Sequence, residues 1–246
     1  MSSRNISSDR RRSRPVNRPS KVKKFKRNKP AMALAIIIIL MLIFSSIYVV
    51  ISNLGEPDNS TIVKDYENDS EYQNALANTD YPVAVINTTK GLIAIELYND
   101  KAPITCQNFI KLVNDGFYDG MIFHRVMDDF MIQAGSTFPD GTQKQSPYGN
   151  IAFEGPAQGN DISHIDGVIS MASTGAGFGG SSQFFIMDGD NPSLDGNYAA
   201  FGKTIYGIEV VRDIADEPED GSYGTNEGGR PTNGDIIINS IKMVKT

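Results

Sequence analysis

Twenty-one consecutive residues without a charge, AMALAIIIILMLIFSSIYVVI at positions 31–51, split this chain into parts that cannot share one solvent. Only Ser45, Ser46 and Tyr48 among them are polar. As a helix rising about 1.5 Å per residue, the run covers the roughly 30 Å hydrocarbon core of a bilayer. A buried core helix would not be uniformly apolar with a dense cluster of cations before it. A cleaved signal peptide would carry a shorter apolar region and a small-residue cleavage site, and no convincing A-x-A pattern follows Ser46. The run is expected to be an uncleaved, single-pass transmembrane anchor.

Charge divides the chain at the same place. Residues 1–30 hold twelve Lys or Arg against Asp9, a net +11, whereas the remainder holds 11 basic and 28 acidic residues, a net -17. The basic flank orients the anchor with its N-terminus in the cytoplasm and everything after residue 51 outside. Arg10-Arg-Arg-Ser-Arg and Lys21-Val-Lys-Lys-Phe-Lys-Arg could also serve as a nucleic-acid arm. Beside an anchor, topology and attraction to anionic lipid are the simpler role, so no nucleic-acid partner is expected. Residues 52–80, with Glu56, Asp58, Asp65, Glu67, Asp69 and Glu71, lack a periodic apolar face. They read as an acidic, solvated linker with a short helical piece around Tyr72 to Leu76.

Residues 81–246 carry the folded domain. Pro82-Val-Ala-Val-Ile-Asn and Leu92-Ile-Ala-Ile-Glu-Leu-Tyr are strands joined by a turn at Thr-Lys-Gly. Further strands are expected at 121–127, 130–134, 167–172, 182–187, 198–203 and 235–243. Pro103 near the start and Gly116 at the end delimit a helix, and a weaker helix spans about 207–215. Many strands, two helices and glycine-rich turns predict a mainly β domain, a closed eight-stranded antiparallel barrel capped by two α-helices. The lone Cys106 shares an i, i+3, i+4, i+7 stripe with Phe109, Ile110 and Val113, which predicts a buried, unreactive thiol.

The chemistry is harder to place from composition. Gly175, Gly177 and Gly180 satisfy the G-x-G-x-x-G pattern of dinucleotide loops, and a strand, Gly167-Val-Ile-Ser-Met-Ala, precedes them. The next segment, Gln183-Phe-Phe-Ile-Met, reads as another strand, so no helix N-terminus is available to hold a pyrophosphate. Two His without clustered Cys or acids argue against a metal site, and no cofactor is expected. No G-x-S-x-G elbow appears, and no Ser/His/Asp order stands out. Taken alone, Arg125 reads as a surface strand residue and His124 as a core histidine satisfied by a hydrogen bond.

Four segments change that reading: Phe123-His-Arg-Val with Phe130-Met-Ile-Gln-Ala-Gly, Gly167-Val-Ile-Ser-Met-Ala, Ser182-Gln-Phe-Phe-Ile, and Leu194-Asp-Gly with Phe201-Gly-Lys. In type and order they resemble the cyclophilins, peptidyl-prolyl cis-trans isomerases, over roughly residues 82–245. The resemblance implies an eight-stranded barrel with two helices and an active groove on its outer face. It implies that Arg125 is the catalytic residue and that Phe130, Met131, Gln133, Phe185 and Leu194 form the pocket. Ala172 and Gln183 match positions along the peptide groove. Two departures stand at the rim: Ser193, where many members carry Trp, and Tyr198, where many carry His. Tyr198 keeps an aromatic wall, while the missing indole implies weakened affinity for cyclosporin-like cyclic peptides. Ser173 replaces a common Asn, leaving backbone contacts there.

The expected partners are proline-containing polypeptides outside the cytoplasm, with the membrane engaged through residues 31–51. A proline-binding chaperone or scaffold module with incidental isomerase activity is the alternative.

Overall fold

The computed structural model describes Tyr66, residues 68–224 and residues 227–246. The basic tail, the anchor and most of the acidic segment lie outside the described residues. No helix among the described residues is long and apolar enough to cross a membrane.

The folded part contains α1 (Ser70–Ala77), β1 (Val83–Thr88), β2 (Gly91–Leu97), α2 (Pro103–Asn114), β3 (Arg125–Met127), β4 (Met131–Ala134), β5 (Val168–Ser173), β6 (Gly180–Met187), β7 (Ala199–Tyr206), α3 (Ile208–Ala215) and β8 (Ile238–Lys245). The strands form one antiparallel sheet in the order β3-β4-β6-β5-β7-β2-β1-β8. It curls around a core built from Ile86, Ile93, Ile95, Phe109, Phe123, Ile132, Phe184, Ile186 and Phe201. The mainly β, eight-stranded antiparallel expectation stands. Closure does not: no ladder joins the edge strands β3 and β8. Instead the segments leading into them are stitched by single backbone bonds, Gly120 N–H to Ile238 O (2.8 Å), Ile238 N–H to Met121 O (2.7 Å) and Phe123 N–H to Ile236 O (3.0 Å). The other edge of β3 is taken by Gly229, bridged to Val126.

Besides the two helices expected of the domain, a third among the described residues, α1, answers to the short helical piece expected around Tyr72 to Leu76; it packs on the sheet, where a solvated linker was expected. Asp69 caps it, accepting from Glu71 N–H (2.8 Å) and Tyr72 N–H (3.4 Å), and also takes a hydrogen bond from the Tyr206 hydroxyl of β7 (2.8 Å). That hydroxyl bond, ahead of the backbone ones, holds the Asp69 carboxyl below the usual carboxylate range. Tyr72 packs edge-on against Tyr206 (5.3 Å) and joins Val83, Val85, Leu92 and Ala94 in a separate apolar cluster. This explains why β1 is buried at every position. Its alternate residues, Ala84 and Ile86, face the core while Val83 and Val85 face α1, so the first four positions of the strand are continuously apolar.

The helix α2 starts with Pro103 in its first turn, and its N-cap, Ala102, has no side chain able to cap it. Glu154, fifty residues away and buried, takes that role. Its Oε1 accepts from Ile104 N–H (2.9 Å), and its Oε2 accepts from Thr105 N–H (2.8 Å) and the Thr105 hydroxyl (2.7 Å). Glu154→Ala strands two helix N–H groups and a hydroxyl, and is expected to lower unfolding free energy by about 2 kcal/mol. Urea unfolding followed by tyrosine fluorescence checks this, the chain having no Trp; Glu154→Gln, which keeps one acceptor, should fall between. On the inner face of α2, Cys106 is buried with its Sγ 3.3 Å from Phe201 O, and burial, then the nearby Glu154 charge, pushes the thiol up to about 12. It is a packing residue.

Candidate active site

The site arises from the alternation of β4 and β6. Ile132, Ala134, Phe184 and Ile186 point into the core, which leaves Met131, Gln133, Gln183, Phe185 and Met187 on the outer face. Antiparallel register then lines up residues of one face across strands: Arg125 opposite Gln133, Gln133 opposite Phe185, and Phe185 opposite Ser170. An apolar patch on an outer face would normally meet water. Here Met131, Val168, Phe185, Met187 and Ala200 form a third apolar cluster, walled by Phe130, Ala172, Leu194 and Tyr198.

Leu194 and Tyr198 come from the connection between β6 and β7. Its 3-10 turn, Pro192–Leu194, is capped by Asn191, whose side chain accepts from Ser193 N–H (3.2 Å) and the Ser193 hydroxyl (2.5 Å). Ser193 is therefore an exposed turn residue. Tyr198 stands edge-on to Phe185, ring centres 5.6 Å apart.

Arg125 projects from edge strand β3 beside this pocket. Its Nε donates to Glu227 O (2.7 Å) and its Nη1 to Gln133 Oε1 (3.4 Å). Gln133 Nε2 donates in turn to Gln183 Oε1 (2.9 Å). The guanidinium carbon lies 6.0 Å from the centre of the Phe130 ring and 5.3 Å from that of Tyr223. A charged donor is thus held by a carbonyl, an amide and two rings at the mouth of an apolar slot. Beyond Gln183 a cleft of about 210 Å³ continues the groove past Gln133, Ala172, Ser173, Lys144 and Asn150. The Ser173 hydroxyl donates to Gly175 O (2.7 Å), within its own loop.

That loop is the glycine-rich stretch, and it leads into strand β6, not a helix. Its close approach is to the chain itself: a Cβ on Gly179 would fall 1.7 Å from the Ile151 carbonyl oxygen. Gly177 takes a positive φ of 75°.

The two histidines support the site from beneath. His124 is buried, as expected of a core histidine, and its ring hydrogen-bonds toward Gln183, while its Nδ1 has no hydrogen-bond partner among the described residues. Burial, then the Arg125 charge, lowers its pKa to about 4. His164 stacks on Phe185, ring centres 6.0 Å apart, with Nδ1 3.0 Å from Asp195 Oδ1 and Nε2 3.0 Å from the Ser170 hydroxyl. Burial lowers its pKa too, against the pull of Asp195. Tertiary structure thus assembles a Ser–His–Asp line that no sequence order revealed. Ser170 is 0% exposed, so its hydroxyl cannot meet a substrate. The line pins the pocket floor, Phe185, to the rim at Asp195.

Three carboxylates, Asp128, Asp188 and Asp216, bring oxygens within 4.8 Å of one another, also unforeseen. Asp188 already accepts from Asp129 N–H (3.1 Å). Burial raises the Asp188 pKa, and the hydrogen bond that protonated Asp216 donates to Asp128 raises that of Asp216.

The residues named from the motifs therefore occupy one face: Arg125 and Gln133 at the mouth, Phe130, Met131, Phe185, Leu194 and Tyr198 in the slot, Ala172, Ser173 and Gln183 along the cleft. Sequence reasoning missed Tyr223 and Glu227, about a hundred residues from the arginine they hold. The only local signal was an acidic, glycine-rich stretch after α3.

Comparison with known proteins agrees with this geometry. The model of the family described as cyclophilin type peptidyl-prolyl cis-trans isomerase/CLD matches residues 83–243. A peptidyl-prolyl cis-trans isomerase of Acinetobacter baylyi is 39% identical over 177 residues, covering 70% of this chain and 90% of the relative. One from Schizosaccharomyces pombe is 38% identical over 161 residues, covering 65% and 94%. The crystal structure of a Cryptosporidium parvum cyclophilin type isomerase superimposes with a TM-score of 0.57 at 32% identity, covering 68% of this chain and 99% of that one. The same protein in the presence of the dipeptide Ala-Pro gives a TM-score of 0.56 at 32% identity, covering 67% and 99%. By its matched domain, its relatives and its fold, the chain belongs to the cyclophilin family and is a peptidyl-prolyl cis-trans isomerase.

Proposed function

We propose that this isomerase turns Xaa-Pro bonds in extracytoplasmic polypeptides while tethered to the membrane by residues 31–51, and that Arg125 is its catalytic group. The observation that carries the mechanism is the Arg125 guanidinium held at the mouth of the Phe130–Met131–Phe185–Leu194–Tyr198 slot. Rotation about an Xaa-Pro bond costs roughly 20 kcal/mol because it destroys amide resonance. Midway, the prolyl nitrogen regains lone-pair character and can accept a hydrogen bond. A permanently charged donor placed there stabilises the twisted state more than either planar one, the condition for acceleration. The slot holds the pyrrolidine ring, and Gln133 positions Arg125 and meets the acyl side, which turns over the Ala172, Ser173 and Gln183 cleft. This chemistry requires no nucleophile, metal or cofactor. The Ala-Pro dipeptide present with the Cryptosporidium neighbour supports a proline ligand. NMR exchange on a Xaa-Pro peptide with wild type and Arg125→Ala tests the mechanism, and equal rates would remove it.

The anchor and its orientation rest on the apolar run and the +11 flank. Release of the protein from membranes by carbonate washing, or inaccessibility of its C-terminal domain to protease added outside intact cells, would refute that placement. An exposed Ser193 at the rim supports weakened binding of cyclosporin-like cyclic peptides, with less aromatic surface offered than an indole would give. A proline-docking chaperone role draws support from the same rim change. Full rescue of a deletion strain by Arg125→Ala would favour it over an isomerase role in the cell.

A further inference from the structure

Edge strand β3 has one neighbour in the sheet, β4, and its other edge is taken by a loop from near the end of the chain. Val126 N–H donates to Gly229 O (2.8 Å), and Gly229 N–H returns to Val126 O (3.2 Å). The loop's two arms are braced together: Asp220 N–H donates to Arg230 O (3.1 Å), Arg230 N–H to Asp220 Oδ1 (2.9 Å), and Tyr223 N–H to Gly228 O (3.3 Å). This bracing sets two groups on the catalytic side of β3, the Glu227 carbonyl on Arg125 Nε and the Tyr223 ring 5.3 Å from the guanidinium carbon. The Tyr223 ring also lies 6.3 Å from that of His124, which backs it from inside. Even so Tyr223 is 45% exposed, so part of its ring is left free beside the groove.

Position along the groove gives that free surface a meaning. Gln183, Gln133, Arg125 and Tyr223 follow one another across β6, β4, β3 and the loop. The Ala172–Ser173–Gln183 cleft lies at one end of this row and Tyr223 at the other. A proline in the slot with its acyl side over Gln133 sends the residue after it toward Tyr223.

We infer that Tyr223 extends the active groove past Arg125: it positions the guanidinium through its ring and selects for an apolar or aromatic residue immediately after the proline. This rests on Arg125 being the catalytic group. A cation against an aromatic face is oriented without being neutralised, and the unoccupied part of the ring gains by burial against an apolar side chain. The hydroxyl has no part in either contact, so phenylalanine should serve as well as tyrosine.

The test uses the full-length protein in detergent and a pair of exchange peptides, Ala-Pro-Phe and Ala-Pro-Ala in a common frame. Wild type should prefer the Phe peptide. Tyr223→Ala should lower kcat/KM on the Ala peptide roughly three- to tenfold, chiefly in kcat, and abolish the preference for Phe. Tyr223→Phe should restore both, and the unfolding midpoints of all three proteins should agree. An unchanged rate and an unchanged preference in Tyr223→Ala, with Arg125→Ala still inactive, would overturn this inference and leave the arginine mechanism intact. Full activity in Arg125→Ala would instead overturn the mechanism beneath it. A loss in Tyr223→Ala matched by a falling midpoint and not restored by Phe would reduce the residue to a structural one.

Discussion

Arg125→Ala will lower kcat/KM for a Xaa-Pro peptide by about 100- to 1000-fold, the size expected when one preorganised charged donor to a transition state is lost. The loss should fall on kcat. The ground state is held by Phe130, Met131, Phe185, Leu194 and Tyr198, which the substitution leaves in place, whereas the arginine's bond to the prolyl nitrogen forms only as the imide twists. Phe185→Ala should do the reverse and raise KM, because it empties the slot's floor. Arg125→Lys should recover little of the rate. An ammonium carries the charge but lacks the Nε that anchors the side chain to Glu227 O and the planar fork that reaches Gln133 at the same time. Circular dichroism of Arg125→Ala should match wild type, since the residue is only half-buried on an edge strand. If Arg125→Ala binds peptide as wild type does and turns it over as fast, the proposed chemistry is wrong.

The second large effect concerns acid. His124 is buried, and its pKa is lowered from 6.5 to about 4. Its folded form thus refuses a proton that the unfolded chain accepts. The stabilisation from keeping it neutral is complete above about pH 6.5 and is lost as pH falls toward about 4. The full shift corresponds to about 3 kcal/mol, of which about 2 kcal/mol should be gone at about pH 5. His164, also lowered by burial, acts in the same direction. The raised carboxyls of Asp188 and Asp216 oppose it, because their folded forms take protons before the unfolded ones do. Urea unfolding at several pH values measures the net slope, and His124→Gln isolates the main contributor. Glutamine preserves a hydrogen-bonding group toward Gln183 without a titrating nitrogen, so its stability should change less between pH 7 and pH 5. An identical slope in wild type and His124→Gln would show that the ring does not set the acid limit.

How much could be read in advance varies with the range of the interactions. Helix α2 was legible because Pro103 and Gly116 act on their own backbone, and β1 and β2 because a turn and β-branched runs are local signals. The groups of Arg125 with Gln133 and of Phe185 with Leu194 were reached through motifs, whose residues the sheet then sets on one outer face. Alternation alone would not have found that face, since β4 and β6 are apolar on both sides: Ile132 and Ile186 for the core, Met131 and Met187 for the pocket cluster. Around α1 the short helix was legible but its packing on the sheet was not, because the segment's polarity is real. Asp69, Glu71 and Asn74 face solvent or make a cap, and a few aromatic contacts, Tyr72 against Tyr206 among them, hold the helix to the sheet.

By itself, the sequence determined a uniformly apolar run after a cationic flank, a folded domain built of antiparallel strands, and the short motifs by which it resembles the cyclophilins. All of these follow from order along the chain: hydrophobic period, turn residues and short motifs. Only the tertiary structure decided that Glu154 caps α2, that Ser170, His164 and Asp195 line up beneath Phe185, and that Tyr223 and Glu227 hold Arg125. Each joins groups separated by several to about a hundred residues, through hydrogen bonds and ring contacts of a few ångströms. Such contacts leave no periodic trace in the chain, because a distance of that kind exists only once the sheet has curled and brought its edges and loops together.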